Sequence, residues 1–301
     1  MSNIAEHAET IAKYWDKVTV QPAGRTSKWW ANKQIVRHQN RLVCGDPIDG
    51  FAAGLRRRTA KLLGGRPLKR GISVGCGGAK KELAMIRDGI VESFDLFELS
   101  DARINAGRQL FAMAGLGDHA NFVNGDAFSI VRSTYDLVYW DNSLHHMMDT
   151  RAAVRWSKEI LNPGGVLVVN DYVGPNRFQW SDRGMTWATH IRSILPEDFV
   201  RHAHDPSKLL RTCRRPDPDL IAKIDPSESA DSDNIIGALL TEFPSGTLWW
   251  LGGYIYHLAL SDIIWNFEST QESAELAMCL AVDELLSQLG ENHYAAFLAR
   301  V

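Results

Sequence analysis

Ser73-Val74-Gly75-Cys76-Gly77-Gly78-Ala79-Lys80-Lys81-Glu82 is the stretch on which the fold turns. A short β-type run, 69–74, leads into it. Glu82-Leu83-Ala84-Met85-Ile86 leaves it with helical composition. Close-spaced glycines let the backbone turn tightly and approach a ligand that a Cβ would hold away. Such a turn opens a nucleotide-binding βαβ unit, and it equally serves as a plain tight turn in an α/β domain. The rest of the chain decides between the two.

Working outward, strand and helix patterns alternate through residues 67–173. Strands are expected over 69–74, 93–98, 119–124, 135–140 and 165–170, and helices over 79–90, 101–114, 128–132 and 151–161. Alternation of this kind predicts an α/β fold, a Rossmann-like, doubly wound, mostly parallel sheet with helices on both faces. Ligands in such sheets bind beyond the carboxyl ends of the strands. Residues 1–66 read as a helical cap, with helices over 4–18, 30–43 and 51–63 and a loop at 21–25. Tyr14, Trp15, Trp29 and Trp30 are dense there; they either glue the cap to the core or form a lid that meets substrate. Residues 174–230 are rich in proline, arginine and aspartate and read as a substrate-shaping insertion with a helix over 183–195. Residues 231–301 complete the sheet: helix 232–243, strand 247–251, helices 253–266 and 271–289, and a terminal strand 292–301.

The chain has 301 residues and a net charge of −3, so no basic excess points to nucleic acid. Cys44, Cys76, Cys213 and Cys279 are scattered without a CxxC pair, which argues against a zinc site or a disulfide framework. The first residues lack a signal-peptide core, and no apolar run of about 18 residues occurs. A soluble cytoplasmic protein without a membrane partner is expected. A homodimer is compatible with the sequence, which does not specify an oligomeric state.

An adenosine-bearing ligand needs an acid at the end of the second strand, where a carboxylate can accept both ribose hydroxyls. Glu98 stands there, 23 positions after Gly75, near the spacing of about 20 seen in dinucleotide folds. Gly125-Asp126-Ala127 closes the third strand, where a polar group would meet the base edge.

With these residues in place, 70–172 resembles a class I S-adenosylmethionine-dependent methyltransferase of the small-molecule type. Ser73-Val74-Gly75-Cys76-Gly77-Gly78 resembles its first motif, Phe97-Glu98-Leu99-Ser100 its ribose motif, and Asn124-Gly125-Asp126-Ala127 its adenine-side motif. Tyr135-Asp136-Leu137-Val138 with Leu144-His145-His146 resembles the fourth-strand motif, and Leu161-Asn162-Pro163-Gly164-Gly165 the turn into strand five. The segment 293–300 resembles the family's seventh, antiparallel strand. The resemblance implies S-adenosyl-L-methionine as cofactor, held by Gly75, Cys76, Gly77, Glu98, Leu99, Gly125, Asp126, Ala127, Asp141 and Asn142. Ser73 departs from the pattern: the family often has an acid there that meets the methionine amino group, and Asp141 is the candidate to replace it. Ala79 stands at the third glycine position, which lowers the rival reading, a nicotinamide-binding dehydrogenase.

Methyl transfer is an in-line displacement, so the protein chiefly aligns the acceptor and excludes water. A hydroxyl acceptor also needs a base. His145 and His146 follow strand four at the ligand edge and are the catalytic candidates; either also fits a structural role. For this reason O-methylation is preferred over N- or C-methylation. Asp171 and Tyr172 follow strand five on the substrate side with Arg177, which either meets substrate or pairs with Asp171. No metal is expected; Asp141, Asn170 and Asp171 could imitate a magnesium set. Trp180, Trp187, Trp249, Trp250, Tyr254, Tyr256 and Trp265 permit a ring-bearing small molecule as partner. A protein or RNA methyltransferase, and a non-catalytic methyltransferase-like partner subunit, are the alternatives.

Overall fold

A computed structural model describes residues 4–20, 28–203, 205, 207–267 and 272–301. Among these, seven strands form one sheet: β1 (Leu68–Val74), β2 (Val91–Glu98), β3 (Ala120–Asn124), β4 (Tyr135–Asp141), β5 (Leu161–Tyr172), β6 (Thr247–Gly252) and β7 (Tyr294–Arg300). Their spatial order is β3-β2-β1-β4-β5-β7-β6. The first five run parallel, and β7 lies antiparallel between β5 and β6. The order reverses at β1/β4, so the open crevice of a doubly wound sheet falls at the glycine turn.

The central strands are buried on both faces, which explains why they read as apolar runs rather than alternating ones. One face carries Ile72, Val138, Trp140, Leu167, Val169 and Phe297. The other carries Leu96, Leu137, Tyr139, Val166, Val168 and Leu298. The covering helices are α1 (Ile4–Val20), α2 (Lys33–Cys44), α3 (Ala53–Leu63), α4 (Lys80–Arg87), α5 (Asp101–Met113), α6 (Ala127–Ile130), α7 (Thr150–Glu159), α8 (Asp182–Ile194), α9 (Pro218–Ile224), α10 (Ile235–Glu242) and α11 (Ala274–Gln288).

Most expected elements are present within a few residues, and the departures have local causes. The helix expected over 30–43 starts at Lys33, because the Asn32 side chain accepts from the Gln34 and Ile35 amides and caps it there. Strand five begins at Leu161 rather than 165, since Leu161 already pairs with Tyr135 across a bulge. The helix expected over 253–266 does not form as one piece. It is a π-helical turn, Tyr254–Ala259, followed by a short 3-10 turn at Ile264–Asn266. Gly252 and Gly253 hold left-handed φ of +71° and +104° before it. The buried Asp283 carboxylate of α11 accepts from the Gly253 and Ile255 amides and pins the turn from outside its own segment. The loop expected at 21–25 and the start of the helix expected at 271 lie outside the described residues.

Of the N-terminal helices, α1 packs on α5 while α2 and α3 pack together and lie over β6 and β7. Among the described residues, α1 reaches the ligand edge through Ile11 and Trp15. The insertion 174–230 contains α8 and α9 and folds back over the ends of β4 and β5.

Candidate active site

The glycine turn leaves β1 with Gly75 at φ +68° and Gly77 at φ +58°. A Cβ on Gly75 would meet the Ser143 Cβ at 3.1 Å, and one on Gly77 would meet the Arg103 guanidinium at 3.3 Å. Side chains are thus excluded where the turn faces the crevice. Buried Glu98 ends β2 beside it. Its Oε2 accepts from the Gly77 amide (2.8 Å), and its Oε1 from the Leu99 (2.9 Å) and Ser100 (3.0 Å) amides. Each carboxylate oxygen accepts two hydrogen bonds comfortably, so Oε2 keeps one acceptor direction open.

A cavity of about 100 Å3 lies here, lined by residues that include Glu98, Leu99, Arg103, Asn142, His146 and Ser227. Ligand pockets are commonly ~300–1,000 Å3. Trp15 of α1 lines the cavity: its ring stands 3.8 Å over the Arg103 guanidinium and 5.6 Å from His146. The Asp16 carboxylate, next along α1, accepts from the Ser100 hydroxyl (2.6 Å) and the Ala102 amide (3.1 Å). Gly125 and Asp126 end β3 farther along the same edge, where Asp126 caps α6 by accepting from Phe128 and Ala127 is fully buried.

Past β4 the chain turns through Asn142, whose φ is +51°, into a 3-10 turn carrying His145 and His146. Asp171, fully buried at the end of β5, organises this turn. Its Oδ2 accepts from the Ser143 (2.9 Å) and Leu144 (2.8 Å) amides, and its Oδ1 from the Tyr172 amide (2.8 Å) and His145 Nδ1 (2.5 Å). Burial alone would lower the His145 imidazole. The Asp171 charge outweighs it, Glu228 adds to the pull, and His145 is raised to about 10. At neutral pH His145 is therefore an imidazolium between Asp171 and Glu228, whose Oε1 lies 3.5 Å from Nε2.

His146 has the opposite character. Burial first, and then the neighbouring His145 charge, lowers its imidazole. Ser227 Oγ donates its only proton to Asp225 Oδ1 (2.6 Å), so at its 3.0 Å contact with His146 Nδ1 it must accept. That assigns the proton of His146 to Nδ1 and leaves the Nε2 lone pair free.

The candidates thus fall into groups. Glu98, Leu99, Asn142, His146 and Trp15 share one cavity, with Gly75, Cys76 and Gly77 at its edge. The Asp141 carboxylate is already engaged: Oδ1 accepts from Asn142 (2.9 Å) and Asn170 (3.0 Å), Oδ2 accepts from the Tyr139 hydroxyl (2.5 Å), and the Lys81 ammonium lies 3.5 Å from Oδ1. Arg177 does not pair with Asp171. It donates to the carbonyls of Asp225, Pro226 and Glu228, and so shapes the loop that carries Ser227. Tyr172 and Trp29 belong to a buried ring cluster with Tyr294, whose hydroxyl accepts from Trp29 Nε1 (3.2 Å); Trp30 is exposed. Tyr14 packs edge-on against Trp15. Sequence reasoning missed Asp225, Ser227 and Glu228, which no motif marks, and also Glu82.

A family model described as a methyltransferase domain matches residues 48–215, more than half the chain. The chain belongs to this methyltransferase family. The methyltransferase is 27% identical over 122 residues to the 27-O-demethylrifamycin SV methyltransferase of Amycolatopsis mediterranei (strain S699), across 39% of this chain and 44% of that one. It thus spans less than half the length of that relative. A geranyl diphosphate methyltransferase solved with GPP and sinefungin superposes with a TM-score of 0.52 at 13% identity, covering 98% of this chain and 99% of that one. That likeness shows the shared fold. The methyltransferase is of class I, S-adenosylmethionine-dependent, with the sheet order and glycine turn described above. Among the described residues no helix is long and apolar enough to cross a membrane.

Proposed function

We propose that this methyltransferase carries a methyl group from S-adenosylmethionine to a hydroxyl of a small organic molecule, with His146 as the proton acceptor. The observation that carries the reading is the relay His146 Nδ1–H to Ser227 Oγ–H to Asp225, which leaves Nε2 open on the cavity shared with Glu98 and Asn142. When bound, S-adenosylmethionine supplies an electrophilic methyl on a sulfonium whose thioether leaves readily. Glu98 Oε2 offers its open acceptor to the ribose, and Gly75–Gly77 let the backbone come close. Asp126 stands toward the base.

His145 acts as a positioning residue. Held as a cation by Asp171, it keeps the neighbouring His146 neutral at physiological pH, which is the form a proton acceptor requires. The lid residues Tyr14 and Trp15 and the insertion residues around Glu228 close over the acceptor and keep water out. The names of the two relatives, a 27-O-demethylrifamycin SV methyltransferase and a geranyl diphosphate methyltransferase, support a small-molecule acceptor, and the first supports an oxygen.

The test is turnover of S-adenosylmethionine with a panel of phenols, alcohols, amines and peptides. Methylation of hydroxyl acceptors is expected. Methylation of amines or peptides alone would overturn the hydroxyl reading, and cofactor binding without turnover of any acceptor would favour a non-catalytic partner subunit.

A further inference from the structure

The acid that meets the cofactor's amino group is identified by elimination among the carboxylates at the ligand edge. S-adenosylmethionine ends in an α-ammonium, and burying a cation without an anionic acceptor is costly. Four carboxylates end or follow the strands nearest the glycine turn. Both oxygens of Asp171 already take two donors each. Asp141 takes three and already has a cation, the Lys81 ammonium 3.5 Å from its Oδ1. Glu98 holds three backbone amides and keeps a single direction, toward the ribose side.

Glu82 is different. It lies in the first turn of α4, immediately after the glycine turn, and is 1% exposed. The Ser73 hydroxyl donates to its Oε1 at 2.7 Å. Its Oε2 is buried with no hydrogen-bond partner. Lys81, next in sequence, turns its ammonium to Asp141 instead. Ser73 sits beside Tyr139 in register, on the strand that runs directly into Gly75. A second orphan, the Ser143 hydroxyl, is buried against Gly75. Buried polar atoms are rarely left unpaired, and those that are call for a missing partner. An unpaired acceptor held by the strand that enters the glycine turn and an unpaired hydroxyl against Gly75 match a ligand that brings its own ammonium and carboxylate.

We propose that Glu82, oriented by Ser73, is the carboxylate that receives the α-ammonium of S-adenosylmethionine, with the Ser143 hydroxyl facing the adjoining carboxylate. This rests on the cofactor reading above. In this chain the acid comes from the helix after the glycine turn rather than from the strand before it. Burial holds the free Glu82 carboxyl above its usual range, and an arriving cation stabilises its charged form.

The test uses calorimetric binding of two probes to the full chain. S-adenosylhomocysteine carries the amino acid end, and 5′-methylthioadenosine lacks it. Glu82→Gln is expected to weaken S-adenosylhomocysteine by at least about tenfold, the scale of one hydrogen bond to a charged group. Affinity for methylthioadenosine should stay within about twofold, as no contact to Glu82 is lost. Moving the acid back, in the double variant Ser73→Asp with Glu82→Gln, should restore S-adenosylhomocysteine binding. Glu82→Asp keeps the charge but withdraws it, and gives the same selective loss even if Glu82→Gln fails to fold. Equal losses for both probes, or none for S-adenosylhomocysteine, would overturn the assignment. A wild-type chain that binds neither probe would overturn the cofactor reading, and this inference with it.

Discussion

The cofactor half and the acceptor half of this site are built in opposite ways. The cofactor half is local: the glycine turn, Glu98 and Asp126 are strand-end residues, placed by the sheet register alone. The acceptor half is assembled at long range. His146 meets Ser227 across 81 positions, and Ser100 meets Asp16 across 84. The first arrangement keeps its geometry as long as the sheet is folded. The second depends on a lid and an insertion that pack on the sheet but are no part of it. Changes in the cofactor half should therefore appear first in binding, and changes in the acceptor half in turnover.

The strongest challenge to that division is His146→Gln. It should lower kcat by ~100- to 10,000-fold while leaving S-adenosylhomocysteine affinity nearly unchanged. An equal fall in affinity would mean the two halves are one. Glu98→Ala is the complementary change. It orphans the Gly77, Leu99 and Ser100 amides and removes the ribose acceptor, so cofactor affinity should fall about 10- to 100-fold. Ser227→Ala breaks the relay without touching the sheet; a loss of about tenfold in kcat is expected, with the melting temperature preserved. Trp15→Ala strips the ring from Arg103 and should speed cofactor release severalfold, a cation–π contact being worth about 0.5–2 kcal/mol. Stopped-flow release rates would check it.

The smallest effect is on pH dependence. His145 is raised to about 10 in the folded chain, above its unfolded value of about 6.5. Its stabilising share is complete below about pH 6.5 and is lost as pH rises through about 10. The melting-temperature gap between wild type and His145→Gln should shrink steadily over that window. The kcat/KM profile should instead rise only at acid pH, as His146 sheds its proton below its ordinary value, and stay level around neutrality.

What was legible in the sequence follows the same division. Parallel central strands announce themselves as apolar runs, and Glu98 stands out as an acid ending one of them. The π-helical turn at Tyr254–Ala259 was not legible, because Asp283, 28 positions beyond Ile255, determines it. Nor was the loop of Asp225, Ser227 and Glu228. Its shape depends on the Arg177 guanidinium clasping three carbonyls, and nothing in the local pattern encodes that. Glu82 left a trace that could have been read: it shares the buried side of α4 with Leu83 and Met85. An acid among such residues, nine positions after a serine at the expected acid's place, is a signal that charge has moved between elements.

The loop 98–102 joins two tasks in five residues. Its first residue, Glu98, is the proposed ribose acceptor, and its Ser100 hydroxyl and Ala102 amide are the anchor points of Asp16. Helix α1 is thus latched to the same piece of backbone that holds the Glu98 carboxylate. A shift of this loop on cofactor arrival would be transmitted directly to the latch, through the Ser100 hydroxyl and the Ala102 amide that Asp16 accepts from. On the proposed reading, entry of the donor and closure over the acceptor are coupled through a single turn of chain.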